Sequence, residues 1–486
     1  MTRRRRRSTY DVLPQWLTRK RAIVGVLLAS FVFASVFGVR LSFALGKAFR
    51  TDPVSAVIAA LQGGNGSSID VKHRNLSRIN IMLYGYGGDG HNGAYLADSI
   101  MLISIQPSNS GLPQVAEISL PRDWYVPIAL PSARARFGRI NEAYADGKLG
   151  YGALPGTQPD AGAAVANATI EHLLGIHIDH WVGVDFRAFK AAVDAVGGID
   201  VTVVNSFTDS AYPHGECDLG DCSYETVHFN AGPQHMNGTT ALIFARSRHG
   251  TGAEGSDFAR SRRQQLIIAA LKQKAVSLGG IGNLPDLLNA LGDNVVTDLK
   301  IGDVEALFGL VKDVDVSKVE HISIDNTNFL YTCNYPSACG AYYMFAHDST
   351  FQSLDHFVAG VFARTDALAE HARVMFEDAS GRGLGASVRW ASLLTSMGIS
   401  AIDGGRVATS AATQVIDLSG GADARTAQWL AAYFGVQVTK PTPPPTSLGT
   451  PAPSATAAAA LVNGGVVVVL GSAEESAFLG HPGIGS

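Results

Sequence analysis

Ile79-Asn80-Ile81-Met82-Leu83-Tyr84 runs directly into Gly85-Tyr86-Gly87-Gly88-Asp89-Gly90-His91, an apolar run of strand length that ends in a glycine-rich loop. A run of this kind, bounded by turn residues, reads as a buried strand. Two more follow at 99–105 and 115–120, joined by the turn Pro107-Ser108-Asn109-Ser110-Gly111. Then the period changes: 161–174 reads as a helix, 180–184 as a strand, 186–196 as a helix stopped by Gly197-Gly198, and 199–203 as a strand. Strands alternating with helices predict an α/β fold, a layered α-β-α domain around a central mixed sheet, with the site on its polar loops.

Upstream, Arg3 to Arg7 and Arg19-Lys20-Arg21 precede an uncharged apolar run at 22–39, closed by Arg40. As a helix this run rises about 27 Å, close to the thickness of a bilayer core. The charge bias predicts a cytoplasmic basic tail at 1–21, a transmembrane helix at 22–45, and everything beyond on the outer side. A cleaved signal peptide is the competing reading; the length of the span and the flanking Arg40, Lys47 and Arg50 favour an uncleaved anchor. Residues 46–76 read as a stalk, with a helix at 54–61 and the spacer Gly63-Gly64-Asn65-Gly66-Ser67-Ser68. The main domain then occupies 77–360, including a helix at 284–291 and a strand at 319–324.

A third module at 370–472 alternates strand (373–377), helix (384–397), strands (399–402 and 414–417) and helix (425–434), a small C-terminal α/β unit. A Pro/Ala-rich insertion at 440–460 separates it from a lone strand, Val466-Val467-Val468-Val469-Leu470. Gly381-Arg382-Gly383-Leu384-Gly385 follows a strand and opens a helix, but it lacks the full dinucleotide fingerprint and reads first as a tight turn.

The balance of 38 basic against 42 acidic residues leaves no overall basic footprint, which speaks against nucleic acid as a partner. The four cysteines form two close pairs, and local closure favours disulfides joining Cys217 to Cys222 and Cys333 to Cys339, as an oxidising compartment allows. A zinc site is the alternative, although neither spacing fits the usual ligand knuckles.

The chemistry concentrates in Ala245-Arg246-Ser247-Arg248-His249 and, after a glycine-rich break, Asp257-Phe258-Ala259-Arg260-Ser261-Arg262-Arg263-Gln264-Gln265. If 242–248 is extended, Arg246 and Arg248 share a side. Ser256 reads as an N-cap, Asp257 suits the first helical turn, and Asp257, Arg260 and Gln264 fall on one stripe with Arg263 at its flank. Arginine forks grip paired phosphate oxygens, so a phosphate or pyrophosphate is the natural ligand. A solvated basic face with surface ion pairs is the plain alternative. Asp98 is a candidate ligand for a hard cation, although it could simply cap a turn. Arg122-Asp123 could be a surface ion pair, and Asn141 a helix cap.

Taken in order, Asp98-Ser99-Ile100-Met101, Ile118-Ser119-Leu120-Pro121-Arg122-Asp123, Arg139-Ile140-Asn141-Glu142-Ala143-Tyr144, Val184-Asp185-Phe186, Gln234-His235-Met236-Asn237-Gly238 and the arginine stretch resemble the LytR–CpsA–Psr family over about 78–275. The third module resembles the LytR C-terminal domain. The resemblance implies a membrane-anchored, magnesium-dependent phosphotransferase on the outer side of a bacterial cell membrane, joining a glycopolymer from a polyprenyl-pyrophosphate carrier to peptidoglycan. A non-catalytic lipid-linked glycan or wall-binding scaffold, or a polyprenyl-pyrophosphate hydrolase, would use the same site. It implies Asp98 as magnesium ligand and Arg122, Arg246, Arg248 and Arg263 on the pyrophosphate. Asp257, Arg260 and Gln264 would orient those arginines or contact phosphate, and Asp257 is also a candidate base. Where many members carry an Asp/Arg loop after the first strand, this chain has Asp89 and His91 as candidate replacements.

Overall fold

A computed structural model of the chain describes residues 68–472 except 92, 110, 131–135, 151–159, 214–222, 278–294, 327, 334–341, 347–349, 382–384 and 440–463. The basic tail, the span at 22–45, the helices expected at 54–61 and 284–291, Cys217, Cys222, Cys339 and the insertion at 440–460 lie outside the described residues. Among the described residues no helix is long and apolar enough to cross a membrane.

The main domain begins with α1 (Ser68–Arg74), the meander β1 (Ile79–Tyr86), β2 (Ser99–Gln106) and β3 (Gln114–Leu120), and the hairpin of β4 (Tyr125–Ile128) and β5 (Arg136–Arg139). It continues through α2 (Glu142–Lys148), α3 (Ala161–Leu174), β6 (His180–Asp185), α4 (Phe186–Ala195), β7 (Ile199–Val203), β8 (Phe207–Pro213), β9 (Tyr224–Phe229) and β10 (Gly232–Met236). Next come α5 (Gly238–Arg246), α6 (Asp257–Ser277), β11 (Val295–Thr297), α7 (Ile301–Val311), β12 (Glu320–Ser323), β13 (Leu330–Cys333), β14 (Tyr343–Ala346), α8 (Gln352–Ala359) and α9 (Val361–Ala369).

Six strands form the central sheet in the order β11-β6-β1-β2-β3-β12. β1 pairs antiparallel with β2 and parallel with β6, so the sheet is mixed, as the sequence pattern predicts. Because strand side chains alternate, the apolar run of β1 serves both faces. Met82, Tyr84 and Tyr86 join Leu102, Tyr144 and Ile170 in a closed core beneath α2 and α3. On the other face Ile79, Ile81 and Ile105 are sealed by Ile69 of α1 and Leu310 of α7. Farther along that face Leu83, Val182 and Val184 remain only partly buried. The layer opposite them, made by α4, α5, α6 and the β7–β10 and β8–β9 ladders, has a core of its own around Val193, Phe207, Phe229, Phe244 and Ile267. A seam is left between the two cores.

The sequence pattern predicts an extended segment at 242–248; the structure has a helix there to Arg246. Asn237 caps α5 through its side-chain oxygen, which accepts Thr240 N at 2.9 Å, and Asp194 Oδ1 takes Gly238 N at 2.7 Å. Ala241, Phe244 and Ala245 face the helical core, whereas Leu242 faces the seam. A helix that is apolar on two sides presents an unbroken apolar run, and such a run does not distinguish helix from strand.

The C-terminal module contains β15 (Arg373–Asp378), α10 (Ala386–Ser396), β16 (Ser400–Arg406), β17 (Gln414–Asp417), α11 (Ala424–Tyr433), β18 (Val438–Thr439) and β19 (Val466–Leu470). Its sheet order is β16-β15-β19-β17-β18, so the lone valine-rich strand is the middle of the sheet and is buried throughout. Glu370, just beyond α9, anchors the start of α11 by accepting Arg425 N at 3.0 Å and Thr426 N at 2.8 Å.

Candidate active site

Within the seam lies a cavity of about 500 Å³. Its floor is two cross-strand rows of the central sheet, Met101-Leu83-Val182 and Ser99-Gly85-Val184-Val295, each set by the strand register. Its roof is Phe189 of α4, Leu242 of α5, and Ile267, Ile268 and Leu271 of α6. Polar side chains gather at one end: Asp98 before β2, Arg122 after β3, Arg246 at the end of α5, Arg248, and Arg260 and Gln264 of α6. The cavity is thus a charged mouth opening on an apolar groove.

Asp98 and Arg122 form the sheet side of the mouth. Arg122 Nη1 donates to Asp98 Oδ1 at 2.7 Å, and Arg122 Nε donates to Asp123 Oδ2 at 3.4 Å. Asn141 stands at the start of α2 without a side-chain cap bond; its Nδ2 instead donates to the same Asp98 oxygen at 3.2 Å. The Asp98 side chain is 44% exposed, so its carboxylate meets the cavity while anchored from behind.

Arg246 forms the opposite side. Its guanidinium lies 4.1 Å over the Phe186 ring, and Nη1 donates to the Tyr212 hydroxyl at 3.4 Å. The His91 ring packs edge-on to Phe186, with Nε2 3.5 Å from Arg246 Nη2. Arg248 follows on an extended turn that one buried carboxylate organises. Asp209 Oδ2 accepts Ser247 Oγ at 2.5 Å, Arg248 N at 3.0 Å and His249 N at 3.1 Å. Burial works to raise the Asp209 pKa, but these bonds and the one from Ala211 N outweigh it and hold the carboxyl below its ordinary value.

The helix α6 starts as its sequence suggests, with Ser256 Oγ accepting Ala259 N at 3.1 Å. Gln264 couples the two sides of the mouth: Ser99 Oγ donates to its Oε1 at 2.6 Å, and its Nε2 donates to Ala245 O at 3.4 Å. The next residue, Gln265, reaches Ser119 Oγ of β3 at 3.4 Å. The side chain of Asp257 lies outside the described residues.

Two expected site residues are placed elsewhere. Arg263, expected on the pyrophosphate, is 2% exposed and does not line the cavity. It donates to Phe244 O at 3.0 Å, to Glu254 Oε2 at 2.7 Å and to Ser247 O, so it buttresses the Arg246–Arg248 turn from behind. The helical period sets residue 263 about 100° from 264, which directs it into the layer's own core. Asp89 accepts the Tyr95 hydroxyl and its carbonyl accepts Arg187 Nη2 at 3.1 Å; it does not line the cavity. Two residues with no role in the motif reading matter here. Asp209 has no neighbouring sequence signal. Asp185, a cavity residue at the end of β6, caps α4 by accepting Ala188 N at 2.8 Å, and burial raises its pKa.

Among the described residues no three His, Cys, Asp or Glu side chains gather to hold a metal by themselves. The donor set still fits magnesium, which takes one or two carboxylates and completes its shell with water and phosphate oxygens. Cys333 is disulfide-bonded.

The LytR_cpsA_psr family model matches residues 53–355. The chain belongs to the LytR–CpsA–Psr family. Its relatives include the polyisoprenyl-teichoic acid–peptidoglycan teichoic acid transferase TagV of Bacillus subtilis (strain 168), 28% identical over 274 residues, which are 55% of this chain and 62% of TagV. The corresponding TagU of Enterococcus faecalis is 25% identical over 308 residues, 63% of this chain and 88% of that protein. The crystal structure of B. subtilis TagV aligns with a TM-score of 0.44 at 25% identity, covering 58% of this chain and 96% of TagV. In this LytR–CpsA–Psr member the matched segment contains every residue of the mouth, and it ends before the C-terminal sheet begins.

Proposed function

We propose that the protein is a membrane-anchored phosphotransferase that moves a glycopolymer from a polyprenyl-pyrophosphate carrier to peptidoglycan on the outer side of the bacterial cell membrane. The observation that carries this reading is the seam cavity, which joins a mouth of arginines and one exposed carboxylate to an apolar groove. A lipid diphosphate has that same division. The names of TagV and TagU as teichoic acid transferases support the class of reaction, and the uncharged apolar run at 22–39 supports the anchor.

In this reading the carrier's hydrocarbon lies between the sheet floor and the α4–α6 roof. Its diphosphate sits between Arg122, Arg246, Arg248 and Arg260. An acceptor hydroxyl attacks the phosphorus that bears the glycan; an O–P bond forms, the bridging P–O bond breaks with its electron pair leaving on polyprenyl phosphate, and the hydroxyl proton passes to water. Fixed arginines stabilise the charge spread over the phosphoryl oxygens without reorganising. Magnesium, held by Asp98 and the substrate, would add Lewis-acid stabilisation. Asp209 and Arg263 keep the arginine turn in place, and Gln264 keeps it in register with Asp98. The module at 370–472, which we read as a LytR C-terminal domain, would serve wall or partner binding.

The test is to incubate the full chain in detergent with a polyprenyl-pyrophosphate-linked glycan, a peptidoglycan oligomer and magnesium, and to weigh the products by mass spectrometry. Glycan joined to peptidoglycan through phosphate is the expected product, and Arg246→Ala should lower its rate about 10²–10³-fold. Free glycan phosphate alone would point to a hydrolase, and intact substrate that co-purifies with the chain to a binding scaffold.

A further inference from the structure

A second surface borders the mouth and has no role so far. The β4–β5 and β13–β14 hairpins join where Trp124 bridges Met344 and Asp123 O accepts Met344 N at 3.0 Å. The inward-facing residues are Val126, Ile128, Leu330 and Met344, none more than 2% exposed. With one face buried, the alternation of strand side chains calls for polar residues on the other. That face instead carries Tyr125, Phe137, Tyr331, Tyr343 and Phe345. Their rings are continuous: Tyr125 meets Phe137 at 6.0 Å, Tyr343 at 4.9 Å and Phe345 at 5.5 Å, and Phe345 stacks on Tyr331 at 5.6 Å. None of the five is buried, and Phe137 is 55% exposed. Contiguous exposed aromatic surface marks a site of interaction.

Charge and position identify the occupant. Among the described residues, Arg139 lies 4.8 Å over the Tyr343 ring but is paired with Asp123 at 3.1 Å, and Arg136 is paired with Glu142 and Asp146, so the cations beside the rings are matched by carboxylates and do not favour a polyanion or an acidic lipid surface. Ring faces with hydroxyls at their edges suit pyranose rings, which have an apolar C–H face and a polar rim. Asp123 also pairs with Arg122 at 3.4 Å, and Arg122 holds Asp98, so the surface abuts the mouth at the end of β3. The groove floor, by contrast, is built on β1, β2, β6 and β11. Attacking and leaving oxygens in phosphoryl transfer lie roughly in line across phosphorus. A leaving group tethered in the groove therefore requires the attacking hydroxyl to arrive from the opposite, β3 side.

We propose that this aromatic face is the docking platform for the acceptor, a peptidoglycan glycan strand whose sugar rings stack on Tyr125, Phe137 and Tyr343 and present a hydroxyl to the mouth. The assignment rests on the transferase reading above. The test uses the full chain in detergent, with Phe137→Ala to remove exposed stacking surface and Tyr125→Phe to retain it. Binding is read by co-sedimentation with insoluble peptidoglycan stripped of attached polymers, and transfer by varying acceptor and donor separately. Phe137→Ala should weaken sedimentation and raise the acceptor KM about tenfold while the donor KM moves by less than about twofold; Tyr125→Phe should track the wild type.

A rise in donor KM alone would overturn the proposal in favour of the donor's sugars. Loss of binding to anionic phospholipid vesicles with acceptor binding intact would overturn it in favour of a membrane contact. Sedimentation that depends on Phe137 in a chain that transfers nothing would leave the platform standing and remove the transferase reading. Active transfer with an unaltered acceptor KM in Phe137→Ala would do the reverse.

Discussion

The two faces of the central sheet are made from the same strands and finished differently. Under α2 and α3, Met82, Tyr84 and Leu102 are essentially inaccessible and join one continuous core. Under α4, α5 and α6, Leu83 of β1 and Val182 of its neighbour β6 stop short of burial, because the helices opposite close around a core of their own. Protein interiors normally fill such space to crystal-like density. Here the unfilled seam is where the arginines converge, so the face that contributes less to stability is the one that can admit a ligand.

Removing Arg263 puts the greatest strain on that comparison. Arg263→Ala takes from buried Glu254 one of its two arginine partners, leaving Arg262 and Asn205, and frees the carbonyls of Phe244, Ser247 and Glu254, so unfolding by denaturant should show a loss of about 3–5 kcal/mol, with activity falling alongside. A variant of unchanged stability that fails to turn over would instead make Arg263 a ligand and erase the division between the layer's fabric and the cavity wall.

A smaller effect separates the faces directly. Leu102→Ala on the closed face should cost about 3 kcal/mol, whereas Leu83→Ala on the open face should cost under about 1 kcal/mol. Equal losses would mean that the seam is packed as tightly as the core.

The smallest effect depends on pH. The Asp209 carboxyl is held below its ordinary pKa, so its contribution is fully present above about pH 4 and is lost as pH falls through the depressed value. Asp209→Asn should therefore be about 2 kcal/mol less stable near neutrality, with the gap closing in acid. A gap that persists unchanged to low pH would show that the charge does not hold the turn.

What could be read from sequence follows from how local each feature is. The α6 start was legible because Ser256, Asp257 and the following apolar run lie within a few residues of one another, and the strands of the sheet because their apolar runs are bounded by turns. Asp98, Arg122 and Arg246 were legible through ordered motifs. The fate of Arg263 was not: one residue of helical phase decides between cavity and core, and only the packing of the β8–β9 ladder settles it. Likewise the run Ile79 to Tyr84 reveals a buried strand without revealing which face is left open. The aromatic platform was beyond reach, since Tyr125 and Phe345 share no local pattern and meet only when two distant hairpins join.

The position of β19 has a consequence for the order in which the protein matures. It lies between β15 and β17, yet it is synthesised after every other strand of that sheet. Until Val466 to Leu470 leaves the ribosome, β15 and β17 each present an open hydrogen-bonding edge, the kind of edge that recruits foreign strands. The module therefore closes last and all at once. A chain that ends before Val466 would lose the strand that holds two half-sheets together, and with it the module's protection against aggregation.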